Sequence, residues 1–144
     1  MAGIVGFGRA CALASEELAE RMLEYSRLRD RLWEGLKAKV GEVRRNGSVD
    51  HMLPNTLNVE FQGTAGEVLL QGLDLEGVAV SAGAACHSGS ISPSHVLSAM
   101  GLSPEQARSS LRISVGHGVD TGQIDAAIDL FSELVARIRR AGPA

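Results

Sequence analysis

The spacing of hydrophobic residues predicts a helix near each end of the chain. In residues 4–39 and again in residues 123–140, apolar side chains recur every three or four positions, with charged residues between them. Such spacing places them on one face of a helix. The first stripe consists of Leu18, Met22, Tyr25, Leu28, Leu32 and Leu36, and the second of Ile124, Ala127, Ile128, Phe131, Leu134, Val135 and Ile138.

Alternation of apolar and polar residues predicts strands in the middle of the chain. Residues 56–61 alternate cleanly, and in residues 110–115 Leu111, Ile113 and Val115 alternate with polar neighbours. A strand with this pattern buries one face, so Arg112 is expected to point away from the core. Residues 78–80 predict a further short strand.

Shorter helices are predicted from their start and stop signals. Residues 65–75 form an apolar helical pattern that Gly77 ends. Ser92 followed by Pro93 predicts a helix that runs to Gly101. Ser103 and Gln106 have the spacing of a capping box. Because helices and strands mix without regular βαβ units, the expected fold class is α+β.

Composition narrows the class of protein. A chain of 144 residues fits one domain. A formal charge of −3 and 3% aromatic residues offer no electrostatic or stacking surface for nucleic acid. No apolar run approaches the length of a membrane span, and no secretory signal pattern opens the chain. We therefore expect a cytoplasmic protein with neither nucleic-acid nor membrane partners.

The two cysteines have different surroundings. Cys11 lies among alanines in the first helix and is expected to be a small core residue. Cys86 lies in a run of very small residues, Ser81-Ala82-Gly83-Ala84-Ala85-Cys86-His87-Ser88-Gly89-Ser90. Such a loop suits a mobile nucleophile, and backbone amides and His87 could lower the pKa of its thiol. A tight loop that needs a small residue is the alternative explanation.

The sequence gives weaker signals for a metal site, for a Cys–His hydrolase and for a carboxylate-binding arginine. Cys86 with His87, His95 and His117 lacks the paired spacing of a zinc site, so no metal is expected. A Cys–His hydrolase would need an oxyanion hole and a third member that the sequence does not identify. Arg112 offers a rigid fork for a carboxylate, but a solvated surface charge would have the same spacing.

Taken together, several motifs in order resemble the C-terminal small domain of cysteine desulfurases of the NifS/IscS type, in the class V aminotransferase superfamily. The motifs are Gly3-Ile4-Val5-Gly6-Phe7-Gly8, Leu53-Pro54-Asn55-Thr56-Leu57-Asn58-Val59, Gly66-Glu67-Val68-Leu69-Leu70, Val80-Ser81-Ala82-Gly83-Ala84-Ala85-Cys86, Ser92-Pro93-Ser94-His95-Val96-Leu97, Ala99-Met100-Gly101-Leu102 and Ser110-Leu111-Arg112-Ile113-Ser114-Val115-Gly116. The resemblance covers almost the whole chain. It implies the small domain of a fold-type I pyridoxal-phosphate enzyme, with a short, mainly antiparallel sheet and a long N-terminal helix.

The resemblance also implies site roles. In this family a loop cysteine, here Cys86, attacks the sulfur of L-cysteine bound to pyridoxal phosphate, which leaves alanine and an enzyme persulfide. Arg112 matches the arginine that holds the substrate carboxylate. The segment after Cys86 is long, and in this it resembles the members of the family that have a mobile cysteine loop rather than those with a short, rigid one. No role carries over to His87, which stays a hypothetical tuning residue.

Two departures from the family pattern matter. His117 stands where the family commonly has an arginine, so a supporting contact is in doubt. Residues 1–144 correspond to the small domain alone, and Lys37 and Lys39, the only lysines, match no cofactor-lysine motif. We therefore expect an excised domain or a natural piece of a longer enzyme, without bound pyridoxal phosphate and inactive by itself.

Alternatives remain for substrate and partner. Selenocysteine lyases also resemble the sequence around Cys86, and a non-enzymatic persulfide carrier or docking domain is the other alternative. The resemblance implies L-cysteine as substrate and a homodimeric parent enzyme. It further implies a sulfur-accepting partner, which could be an iron–sulfur scaffold, a tRNA-thiolation protein or a DNA-modification protein.

Overall fold

Helices and a small sheet make up the part of the chain that the computed structural model describes, residues 1–82 and 94–142. The helices are α1 (Ala2–Lys39), α2 (Gly66–Leu75), α3 (His95–Ala99), α4 (Pro104–Arg108) and α5 (Thr121–Ala141), and the strands are β1 (Val43–Arg45), β2 (Thr56–Phe61), β3 (Ser81–Ala82) and β4 (Ser110–Ser114). The predicted α+β class and long N-terminal helix are confirmed.

The sheet is antiparallel throughout, with strand order β1-β2-β4-β3. Strands β2 and β4 lie where alternation predicts them. The strand predicted at residues 78–80 is wrong, because pairing begins only at Ser81, which lies opposite Arg112. Strand β1 was not predicted, since three residues carry too little alternation to be recognised.

The hydrophobic core lies between one face of the sheet and helices α1, α2 and α5. Phe61 of β2 stacks on Phe131 of α5, with ring centroids 5.4 Å apart. The fully buried positions include Leu28, Leu32 and Leu36 of α1, Leu57, Val59 and Phe61 of β2, Leu69 and Leu73 of α2, Leu111 of β4, and Phe131, Leu134 and Val135 of α5. The opposite face of the sheet is therefore free for polar residues.

Helices α1 and α5 run in the same direction, as the polar contacts between them show. Arg27 donates to Thr121, Arg31 pairs with Asp125 at 2.7 Å, and Lys39 pairs with Asp129. The hydrogen bonds from Arg31 hold the pKa of Asp125 below its ordinary value. Because these pairs advance together along both helices, they fix the register of the two helices.

The first half of α1 has no packing partner among the described residues. Leu18 and Met22, which belong to the apolar stripe of this helix, are 56% and 45% exposed. Cys11 is also exposed, so its predicted core position is wrong. The reason is geometric: α5 begins at Thr121, beside Arg27, and reaches no earlier turn of α1.

Side-chain caps are present at the N-termini of α3, α4 and α5. The predicted capping box of Ser103 and Gln106 is confirmed at the start of α4. Helix α3 starts later than predicted, with Ser94 as its N-cap, while Ser92 and Pro93 lie outside the described residues. Within residues 1–82 and 94–142, no helix is both long and apolar enough to cross a bilayer.

Candidate functional site

Arg112 lies in the middle of β4 on the outer face of the sheet. Its neighbours Leu111 and Ile113 are buried in the core, whereas Arg112 itself is exposed. Burial of the odd-numbered residues forces the even-numbered ones to the other face. The guanidinium therefore stands on the polar side of the sheet, as the alternation predicts, and it forms no ion pair with any residue in the described ranges.

A row of polar residues crosses the sheet at Arg112. Asn58 of β2 lies directly opposite it on one side and Ser81 of β3 on the other. Val115 N donates to Asn55 O and Phe61 N donates to Ser109 O, which marks the odd-numbered pairs as the hydrogen-bonded ones. Asn58 and Arg112 thus form a non-hydrogen-bonded pair, the kind whose side chains approach most closely.

The next row holds the only nearly buried carboxylate on this face among the described residues. Glu60 is 5% exposed, and its Oε2 lies 2.7 Å from Nη2 of Arg44 on β1. The contact lies outside hydrogen-bond geometry, so it is coulombic. Because Arg44 compensates Glu60, that carboxylate does not neutralise Arg112 on the neighbouring strand.

Asn46, just after β1, forms hydrogen bonds to residues of both rows, the Asn58 row and the Ser110 row. Its backbone N donates to Asn58 O at 2.9 Å. Its Nδ2 donates to Asn58 Oδ1 at 2.7 Å and to Ser110 Oγ at 2.9 Å. Asn46 and Asn58 were missed in the sequence, although an asparagine inside a strand is an unfavourable choice that signals a special role.

Cys86 and His87, the other predicted site residues, lie outside the described residues. In the sequence, Cys86 follows Ala82, the last residue of β3, by four positions.

The described residues do not resemble a metal or a pyridoxal-phosphate site. No group of three potential metal ligands occurs among them, and His95 and His117 are both exposed. Lys37 pairs with Glu34 at 2.7 Å one helical turn away, and Lys39 pairs with Asp129; both ammonium groups lie at the solvent surface. Each lysine is thus part of a surface ion pair in the described structure.

Comparisons with known proteins first define the class by its fold. A NifS-like protein from Rickettsia africae superimposes with a TM-score of 0.80 and 33% identity, covering 92% of this chain and 34% of that chain. A second structure, titled NifS-like protein, gives a TM-score of 0.81 with 30% identity, covering 94% of this chain and 33% of its own. The fold is that of NifS-like proteins.

Sequence similarity then defines the family. The family model described as aminotransferase class-V matches residues 1–127, so the chain belongs to the class-V aminotransferases. It is 44% identical over 140 residues to the cysteine desulfurase IscS of Edwardsiella ictaluri. That match covers 97% of this chain but 34% of the relative, so the chain spans about a third of the length of the curated relatives it matches.

Proposed function

We propose that this chain is the sulfur-accepting domain of a cysteine desulfurase, with Cys86 as the nucleophile and Arg112 as the anchor for the substrate carboxylate. Similarity to IscS supports the reaction class. The observation that carries the assignment of residues is the register of β3 and β4. Strand β3, which precedes Cys86 in the sequence, pairs with β4, which carries the exposed Arg112, and this pairing supports a shared site for the two residues.

The proposed sulfur transfer is balanced in atoms and electrons. A bond forms between Cys86 Sγ and the sulfur of L-cysteine, while the Cβ–S bond of L-cysteine breaks. The electron pair of that bond and a proton go to the carbon, which gives alanine, and Cys86 keeps the sulfur as a persulfide. Pyridoxal phosphate, which the family implies, supplies electron withdrawal from a bound amino acid. We assign it to no residue described here.

Arg112 contributes orientation. A planar guanidinium binds a carboxylate through two parallel hydrogen bonds, which fixes the direction of the amino acid as well as its position. Because Leu111 and Ile113 are buried, the strand backbone that carries this fork is held in place. The substrate carbon–sulfur bond would then be presented to the segment that follows β3.

The proposal can be tested in a chimeric enzyme. In the Edwardsiella ictaluri IscS, the 140 matching residues are replaced by this chain, and alanine formation from L-cysteine is measured. We expect activity, loss of it in Cys86→Ala, and a raised KM with Arg112→Gln because one charged pair is lost. Arg108→Gln, an exposed arginine one turn before β4, serves as the matched control and should change little.

A mass measurement distinguishes the site of sulfur binding. After turnover without a thiol acceptor, we expect one added sulfur atom on the peptide that contains Cys86. Sulfur on Cys11, or a Cys86→Ala chimera with full activity, would overturn the proposal. Turnover of selenocysteine but not cysteine would change the substrate to that of a selenocysteine lyase.

A further inference from the structure

Hydrogen-bond direction around Ser110 determines how two asparagine side chains are oriented. Ser110 is buried, and its hydroxyl donates its single proton to Gln106 O at 2.7 Å. Ser110 Oγ can therefore only accept from Asn46, 2.9 Å away, which requires the amide nitrogen of Asn46 at that contact. The same nitrogen lies 2.7 Å from Asn58, so Asn58 must present its oxygen there.

The orientation of Asn58 leaves a fixed donor on the row that contains Arg112. With Oδ1 occupied by Asn46, the Nδ2 group of Asn58 is kept out of that network, and it donates to no described residue. Asn58 is only half-buried and lies directly opposite Arg112 in the closer type of cross-strand pair. Two neighbouring side chains thus offer N–H donors on the same face.

Charge on this face favours an anionic ligand. Glu60 lies in the adjacent row of the sheet, opposite Ser110, and Arg44 compensates it at 2.7 Å. The row of Asn58, Arg112 and Ser81 contains donors and one full positive charge but no acidic residue. A carboxylate bound there would gain a charged fork and a neutral donor without a competing anion.

We propose that Asn58 Nδ2 is a second donor to the amino-acid carboxylate that Arg112 binds, and that Asn46 is the positioning residue that holds it. This inference rests on the proposed function, because it concerns the same substrate. A donor fixed in advance loses little freedom when the ligand binds, so it contributes more to affinity than a mobile one. The arrangement is specific for a carboxylate rather than for the thiol or amine of the substrate.

The test uses the 144-residue chain itself, labelled with nitrogen-15. It is titrated with L-alanine, the amino acid released, and in parallel with ethylamine, which is alanine without its carboxylate. We expect the Nδ2 protons of Asn58 and the Nε proton of Arg112 to shift with the same apparent Kd in L-alanine and to stay unchanged in ethylamine. Shifts of Arg112 alone would overturn the role of Asn58 and leave the proposed function standing, whereas no shift of either signal would remove both.

Paired variants separate donation from general charge. Asn58→Asp keeps an oxygen for Asn46 but replaces the donor by a negative oxygen, and we expect it to weaken alanine binding by about tenfold or more. Asn55→Asp adds the same charge at the end of β2 outside the row, and should weaken binding by less than about threefold. Equal effects would overturn the proposal. The backbone spectrum of each variant shows whether the fold is kept.

Discussion

One guanidinium on α5 holds the turn that connects α1 to the sheet. Arg139 donates to the backbone oxygens of Gln62, Val40, Gly41 and Glu42, at 3.0 to 3.3 Å. The turn is unusual, because Gly41 and Glu42 both have positive φ, and Glu42 is not a glycine. The hydrogen bonds from Arg139 offset the cost of that backbone conformation.

Replacing Arg139 should therefore destabilise the fold. We expect Arg139→Ala to lower the free energy of unfolding by about 2 kcal/mol, because four backbone carbonyls lose a charged donor. Arg139→Lys should recover only part of it, since an ammonium cannot match the planar fork. Urea unfolding followed by circular dichroism measures both, and Arg140→Ala, the exposed neighbour, is the control. Equal losses for residues 139 and 140 would contradict this role.

At the scale of single residues, the sequence predicted what depends on local pattern. The outward direction of Arg112 follows from alternation within its own strand. The network of Asn46, Asn58 and Ser110 joins residues 12 and 64 positions apart. No local pattern carries such pairings, and Asn46-Gly47 by itself indicates only a turn. The capping box of Asp120 and Gln123, by contrast, has a recognisable spacing and was overlooked.

The packing of α1 against α5 depends on the absence of a side chain. A Cβ atom on Gly35 would lie 2.3 Å from Ile128 Cδ1 and 2.9 Å from Cγ1. A side chain at residue 35 would therefore require the Ile128 side chain to shift. The same position costs helix propensity, about 1 kcal/mol relative to alanine.

We expect Gly35→Ala to be destabilising by about 1 kcal/mol despite that gain in propensity, because overpacking a core costs more. Ile128→Val removes Cδ1, the atom that a Cβ at residue 35 would approach most closely, so the double variant should be more stable than the sum of the single changes predicts. Thermal unfolding of the four proteins measures this coupling. Gly8→Ala, with no atom within 4 Å of the added Cβ, is the matched control and should not be destabilising. Additive effects would contradict the proposed contact.

At the scale of elements, periodicity located both long helices and the two central strands, but not every boundary. Strand β3 is only two residues long and depends on pairing with β4 rather than on its own residues. The buried face of α1 also fails to follow from its stripe, since Leu18 and Leu28 share the pattern and only Leu28 is covered. Which part of a stripe is buried depends on where α5 begins.

For the whole molecule, α1 is a helix of 38 residues with two different environments. Its second half packs into the core through Leu28, Leu32 and Leu36, and its first half exposes Ile4, Val5 and Phe7. Helical segments without packed partners open readily, because isolated helices are only marginally stable in water.

Hydrogen exchange should divide α1 at about Tyr25. In the isolated chain, we expect amides of residues 28–39 to exchange at least about 1,000-fold more slowly than those of residues 5–20, since only the former require global unfolding. Exchange measured by mass spectrometry on overlapping peptides resolves the two parts. Uniform protection along the helix would show that another surface covers its first half in solution, and sedimentation would then show whether that surface is a second copy.

In β4, the direction of Arg112 is tied to the burial of its two neighbours, because successive residues of a strand face opposite sides of the sheet. Leu111 and Ile113 face one way because they are buried, so Arg112 must face the other. An insertion of one residue before Leu111 would turn the guanidinium into the core and a leucine to the outer face, and only an insertion of even length would restore the arrangement. Length changes within this strand are therefore far less tolerable than changes of side chain. Grafting Arg112 and its neighbours onto another sheet therefore requires that the alternation of inward and outward residues be kept before any side chain is optimised.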